Sequence, residues 1–219
     1  FTKREAEEAI QTIYNKKGEL KELYSDRDQN FLFKTKNQNY LLKIYNSVEK
    51  RKVIELQITS LKHIVKSHFP FKVPEPINGL KKIFKDGGNY YICLFKYLEG
   101  NFLFETKLGH AQYRNIGILM GNLTKVLTDF DHSGGHRIFE WDVQNIDVIR
   151  DKIKFIKKEN KKNILLHHLN NMNNKLIPPL KNLRKSIIHN DGNDHNIIMN
   201  ADKSLKGLID FGDMIYSFT

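Results

Sequence analysis

Ser186-Ile-Ile-His-Asn-Asp-Gly-Asn-Asp-His-Asn-Ile-Ile-Met199, followed by Gly207-Leu-Ile-Asp-Phe-Gly-Asp-Met214, decides how the rest of this chain is read. The first stretch spaces His189, Asp191 and Asn196 as H-x-D-x-x-x-x-N, and the second supplies Asp210 in an Asp-Phe-Gly triplet. Transfer of a phosphoryl group from a nucleoside triphosphate needs these groups in this order. One carboxylate (Asp191) takes the proton of the attacking hydroxyl, while an amide (Asn196) and a second carboxylate (Asp210) hold the Mg2+ that bridges the phosphates. The first motif alone is a weak signal; an apolar-flanked Asp-Phe-Gly downstream of it makes the pair a strong one. Ile197 to Met199 and Leu205 to Ile209 are short apolar runs separated by Asn200-Ala-Asp-Lys-Ser204, a hairpin pattern. It would set Asn196 at the head of one strand and Asp210 at the end of its partner, a two-ligand arrangement that suits magnesium. The plain alternative is a polar turn with capping Asp and Asn residues, followed by an ordinary hairpin.

Further upstream, Lys43 lies within Tyr40-Leu-Leu-Lys-Ile44, on what reads as the third strand. Strand lysines in such sites are aimed at the nucleotide phosphates. A surface lysine among many is the alternative. Thr2 can cap a helix from Lys3 to about Tyr14. Strands are then expected over Glu19 to Tyr24, Asn30 to Lys36 and Tyr40 to Tyr45, and a helix from Val48 to about Ser67 behind a Ser47 cap. Asp86-Gly-Gly-Asn89 is a turn between strands Lys81 to Lys85 and Tyr90 to Lys96. From Gly100 onward the pattern is mostly helical, over Lys107 to Leu127, about Asn145 to Lys158, and Asn163 to Ile177, with Pro178-Pro179 as punctuation.

Composition narrows the function classes. The chain has 219 residues, 40% hydrophobic and 11% aromatic, as expected for an ordinary folded protein. Its net charge of +11 raises the question of nucleic acid. Yet the lysines fall in amphipathic segments such as Lys152-Ile-Lys-Phe-Ile-Lys-Lys-Glu-Asn-Lys-Lys162, and no zinc spacing or nucleic-acid-binding motif accompanies them. No nucleic-acid partner is expected. The lone Cys93 excludes an internal disulfide and sits in an apolar run, which suggests core packing. No apolar stretch reaches membrane-spanning length and no signal peptide is visible, so a cytoplasmic protein is expected.

The residues around this core resemble the aminoglycoside phosphotransferase and choline kinase superfamily. The segments Ile188 to Ile197 and Ile209-Asp-Phe-Gly-Asp-Met214 look most like hydroxylysine kinases and the phosphotransferase domains fused to class III aminotransferases. The likeness extends to Ser25-Asp-Arg-Asp-Gln-Asn-Phe31, Leu94-Phe-Lys-Tyr-Leu-Glu-Gly100, Phe130-Asp-His132, His136-Arg137 and Trp141-Asp142. It implies an α+β, bilobal, protein-kinase-like fold: a small antiparallel-sheet N-lobe over residues 1–99, a hinge near 94–99, and a mostly helical C-lobe over 100–219. Helices normally follow the Asp-Phe-Gly strand in such folds, so the resemblance leads us to expect a longer protein, with fusion to further domains as one option.

The resemblance also implies ATP or GTP as co-substrate and a small, amino-bearing hydroxyl compound as acceptor. Ser25 and Arg27 lie in a loop without glycine, where side-chain donors could replace backbone amides around phosphate; a plain polar turn is the alternative. The hinge backbone over Leu94 to Leu98 would meet the base, with Tyr97 among the binding residues and Phe95 and Leu98 supplying apolar contact. Gln57 is the residue expected to orient Lys43, with Glu55, about 200° round the helix, as the other option. For the acceptor, Asp213 and Arg137 are a pair of opposite sign able to meet an ammonium and a carboxylate. Trp141 either lines that site or simply packs. A catalytically silent regulatory domain, or an aminoglycoside- or choline-type kinase, is the competing reading. A protein kinase would need a peptide-binding segment after Asp-Phe-Gly, and none begins in Asp213-Met-Ile-Tyr-Ser217.

Overall fold

The computed structural model describes residues 1–180 and 182–219. Its first half follows from period-2 alternation. Strands β1 (Glu19–Leu23), β2 (Gln29–Lys34) and β3 (Asn39–Tyr45) form an antiparallel meander behind helix α1 (Lys3–Tyr14). Helix α2 (Arg51–Lys66) then leads to β4 (Pro76–Lys85) and β5 (Gly88–Lys96), and the five strands make one antiparallel sheet in the order β1-β2-β3-β5-β4. Successive side chains point to opposite faces of a strand. Phe31, Phe33, Leu42, Ile44, Ile92 and Leu94 therefore meet Ala6, Ile10 and Tyr14 of α1 in one core. Tyr45, Cys93 and Phe95 face the other way, into a core built with Ile54, Leu56, Leu61 and Ile64 of α2. Lys43 shares the period of Tyr45, so the alternation that buries Leu42 and Ile44 also turns Lys43 toward α2.

Helix α1 starts where expected. The Thr2 hydroxyl accepts from the Glu5 N–H at 3.3 Å, and the Glu5 carboxylate takes the Thr2 N–H at 2.6 Å, a complete capping box. The expected start of α2 is displaced. Ser47 is not its cap; the helix begins at Arg51 after Lys50, which makes no side-chain capping bond. Asn46, just past β3, instead turns the chain through its own side chain, whose Oδ1 accepts from the Val48 N–H at 3.2 Å.

The second half contains β6 (Asn101–Phe102), α3 (His110–Val126), the short α4 (Asp147–Lys152), α5 (Glu159–Asn171), α6 (Ile177–Leu180), β7 (Lys185–Ile188), β8 (Ile197–Met199), β9 (Leu205–Leu208) and β10 (Ile215–Phe218). The single helix expected over Asn145 to Lys158 is broken into a turn at Val143–Asn145, α4, and a turn at Ile153–Phe155. Only Ile146 and Ile153 of this stretch are buried, packing with Leu169, too few anchors to hold a lysine-rich helix continuous. Helix α5 starts earlier than expected, with acidic Glu159 in its first turn, and passes through a π-turn at Met172–Leu176. Pro178 and Pro179 fall in α6, the last turn of a helical run that continues unbroken from α5 through the π-turn, so they lie close to its end as expected.

The two halves are stitched at the hairpin of β8 and β9, whose observed strands agree with the expected ones. The backbone leaving α2 bridges to it: Lys72 N–H donates to Lys206 O at 2.9 Å, and Leu208 N–H donates to Lys72 O at 3.0 Å. Gly207 makes this approach possible, since a Cβ there would lie 1.9 Å from the Lys72 carbonyl oxygen. Ser60 of α2 reaches the Met214 sulfur at 3.0 Å, fixing the helix against the segment after Asp210.

Candidate active site

His189 follows the last residue of β7 and is buried between the two motif segments. Its Nδ1 accepts the Asp191 N–H at 3.2 Å, so Nε2 carries the ring proton and donates to Ile209 O at 3.0 Å. Burial holds its pKa below the usual histidine value, and the ring stays neutral. Phe211 packs edge-on against it with ring centroids 4.6 Å apart. His189 thus ties the loop carrying Asp191 to the strand end carrying Asp210.

Within that loop, the Asp191 carboxylate is aimed by two amides. Asn193 Nδ2 donates to Oδ1 at 2.7 Å, and Asn196 Nδ2 donates to Oδ2 at 2.8 Å and to the Asp191 carbonyl at 2.9 Å. Because Nδ2 of Asn196 serves Asp191, its Oδ1 is the amide atom left to meet a cation. Ile209 N–H donates to Asn196 O at 2.8 Å, which sets Asp210 beside Asn196 across the hairpin. Asp210 itself is exposed and left-handed, with φ 57°, and its Oδ1 accepts from Gly212 N–H at 3.3 Å. One carboxylate and one amide oxygen, with the remaining positions left to phosphate and water, form a donor set that fits magnesium.

Lys43 enters from β3. Its ammonium lies 3.1 Å from Asp28 Oδ2 and 3.9 Å from Asp210 Oδ1, above the Tyr45 ring at 5.4 Å from the centroid. The expected partner Gln57 does not reach it. Gln57 Oε1 accepts from the Tyr45 hydroxyl at 2.6 Å, and burial raises the Tyr45 pKa, so the phenol keeps the proton it donates. Glu55 is turned away and pairs with Arg51 at 2.8 Å. The sequence pointed to a partner on α2, Gln57 or else Glu55, and missed Asp28. The available signal was an acidic residue just before β2 in the Ser25–Asn30 loop.

Other expected contacts are distributed differently. Arg27 of that loop pairs with Asp213, so the β1–β2 loop is joined to the Asp-Phe-Gly segment; Ser25 is half-buried beside it. Arg137, expected to face a substrate carboxylate, instead donates through Nη2 to the Gly212 and Met214 carbonyls at 3.3 Å each. A half-buried guanidinium seeks acceptors, and the backbone either side of Asp213 supplies them. Arg137 also lines a cavity of about 350 Å³ with His136, Asp142, Gln144 and Tyr216. Trp141 is 75% exposed and is not among the residues lining this cavity. Asp142, buried next to it, accepts from Ser217 Oγ at 2.7 Å and Gln144 N–H at 3.0 Å, a latch on β10. At the expected hinge the Phe95 ring is buried in the core, and the Tyr97 N–H already donates to Asn39 O at 3.0 Å.

A family model described as a phosphotransferase enzyme family matches residues 19–218. The chain belongs to that family. Among curated proteins, it is similar to hydroxylysine kinase of Mus musculus, 27% identical over 248 residues, covering 100% of this chain and 66% of the mouse protein. The chain thus spans just under two thirds of that relative's length. Among solved structures it is similar to spectinomycin phosphotransferase, with TM-score 0.71 and 11% identity over 99% of this chain and 70% of that one. Amicoumacin kinase gives TM-score 0.67 and 13% identity over 100% of this chain and 66% of that one. These likenesses establish the α+β kinase-like fold of this phosphotransferase-family member.

Proposed function

We propose that this chain belongs to a small-molecule kinase that moves the terminal phosphoryl group of ATP or GTP to a hydroxyl of an amino alcohol or hydroxy amino acid resembling 5-hydroxylysine. One observation carries the reading. Asn196 bonds Asp191 at 2.8 Å, the Ile209 amide ties the segment of Asp210 to Asn196, and Lys43 lies 3.9 Å from Asp210, so four groups with the chemistry that phosphoryl transfer requires meet in one cluster. The hydroxylysine kinase relative, matched over the whole chain, supports the acceptor class. Amicoumacin kinase, solved with an ATP analogue, supports a nucleotide co-substrate.

In this reading the acceptor oxygen bonds to the γ-phosphorus as the bond to the β,γ-bridging oxygen breaks. Asp191 Oδ1 or Oδ2 takes the acceptor's proton, and nucleoside diphosphate leaves. Asn196 and Asp210 would hold magnesium, which when bound neutralises charge on the phosphates. Lys43 adds a cation on the N-terminal side, and the neutral His189 keeps the base loop and Asp210 in register. The residues 94–99 form the hinge between lobes of 1–99 and 100–219. For the acceptor, Asp213, directly after the Asp-Phe-Gly triplet and paired with Arg27, would share its carboxylate with the ammonium, with Arg137 holding the backbone either side of it.

The test is a panel of 5-hydroxylysine, choline, homoserine, ethanolamine and an aminoglycoside, each assayed with ATP and with GTP. Transfer to 5-hydroxylysine or another small amino alcohol is the expected result. Phosphorylation of the aminoglycoside or of protein alone would overturn the acceptor class.

A further inference from the structure

Resting on the phosphotransfer reading, we infer that Asp28, in the loop before β2, is the positioning residue for Lys43, taking the place of a carboxylate on α2. A lysine whose side chain is only 10% exposed needs a counter-charge, because an unpaired buried ammonium is costly. Helix α2 offers none. Gln57 is neutral and engaged with Tyr45, while Glu55 is engaged with Arg51. Asp28 meets the need with both oxygens. Oδ2 lies 3.1 Å from the Lys43 ammonium, and Oδ1 accepts from Asn46 N–H and Asn46 Nδ2, both at 3.0 Å.

The register explains why this position works. Gln29 pairs with Ile44 across β2 and β3, so Asp28 falls opposite the end of β3, next to Asn46 and within reach of Lys43. The carboxylate is thereby fixed to the backbone of the strand that carries the lysine. A partner on a packed helix can be withdrawn when the helix shifts. Here the lysine is on β3 and the carboxylate immediately precedes the neighbouring β2, bonded to Asn46 just past β3, so movement of α2 leaves the pair intact. The same loop carries Arg27 to Asp213, so Asp28 and Arg27 hold Lys43 and the Asp-Phe-Gly segment from one short stretch of chain.

A double-mutant cycle tests this, with affinity for a non-hydrolysable ATP analogue and magnesium read by calorimetry. Asp28→Asn keeps an acceptor for Asn46 but removes the charge, and is expected to weaken binding by roughly tenfold, the scale of a coupled charged pair. In a Lys43→Met background the same change should have no further effect. Asn46→Ala, which leaves the charge but removes a clamp, should give a smaller loss that also vanishes in that background. It serves even where Asp28→Asn unfolds the protein, as shown by its urea transition. Losses that simply add in the Lys43→Met background, from a wild type that binds nucleotide, overturn this inference alone. A wild type that binds no nucleotide overturns the phosphotransfer reading and this inference with it.

Discussion

Asp191→Asn is expected to lower kcat by roughly 10²–10⁴, the usual contribution of a positioned base, with nucleotide affinity little changed. The substitution keeps the shape and removes the proton acceptor. It also disturbs the local pattern, because both carboxylate oxygens accept from amide NH2 groups, Asn193 on one side and Asn196 on the other. A carboxamide can satisfy only one of them without a flip. Asn193 is the exposed member, although its Oδ1 already accepts from His195 N–H at 2.8 Å. Turning Asn196 would swap an oxygen for an NH2 at the proposed cation position. The new amide nitrogen should therefore face Asn193, leaving the proposed metal side as it was. Steady-state kinetics together with nucleotide calorimetry separate the two effects, and near-wild-type turnover would remove Asp191 from the role of base.

Asp210→Ala should abolish magnesium-dependent nucleotide binding while the protein still folds. The Asp210 side chain is 50% exposed, and its contacts are a 3.3 Å bond to Gly212 N–H and a 3.9 Å approach to Lys43, which keeps Asp28. The structural cost is then mainly that of alanine at φ 57°, on the order of 1 kcal/mol. What disappears is the one carboxylate of the proposed two-ligand set. A thermal transition close to wild type, with no heat of binding for magnesium nucleotide, is the expected pair of results. Wild-type affinity in the variant would refute the two-ligand proposal.

Much of the fold was legible because it is written locally. Thr2 and Glu5 specify the start of α1 by themselves, and the runs Ile197 to Met199 and Leu205 to Leu208 specify a hairpin with a polar turn between them. Alternation along Tyr40 to Tyr45 was enough to put Lys43 on a strand. What could not be read depended on elements distant in sequence. That Gln57 meets Tyr45, and Asp28 meets Lys43, follows from the β2–β3 register and the seating of α2, neither of which the local pattern encodes. Arg137 sits 75 residues from Gly212, and nothing near it announces that carbonyls would claim its guanidinium. The helix breaks between Val143 and Leu180 reflect how little core that stretch meets, a tertiary fact that helical periodicity cannot report.

Cys93 stands directly across the β3–β5 ladder from Lys43, wholly buried, and burial pushes its thiol up to about 12. At neutral pH it is therefore held as the unreactive thiol, shielded from alkylating reagents as long as the sheet stays closed. As the chain's single cysteine, it is a natural clock for that sheet. Its labelling rate measures how often the strand behind Lys43 opens, with no engineered probe and no need to know the acceptor. A nucleotide that engages Lys43 should slow the clock, turning a buried, chemically silent side chain into a direct report of occupancy on the opposite strand.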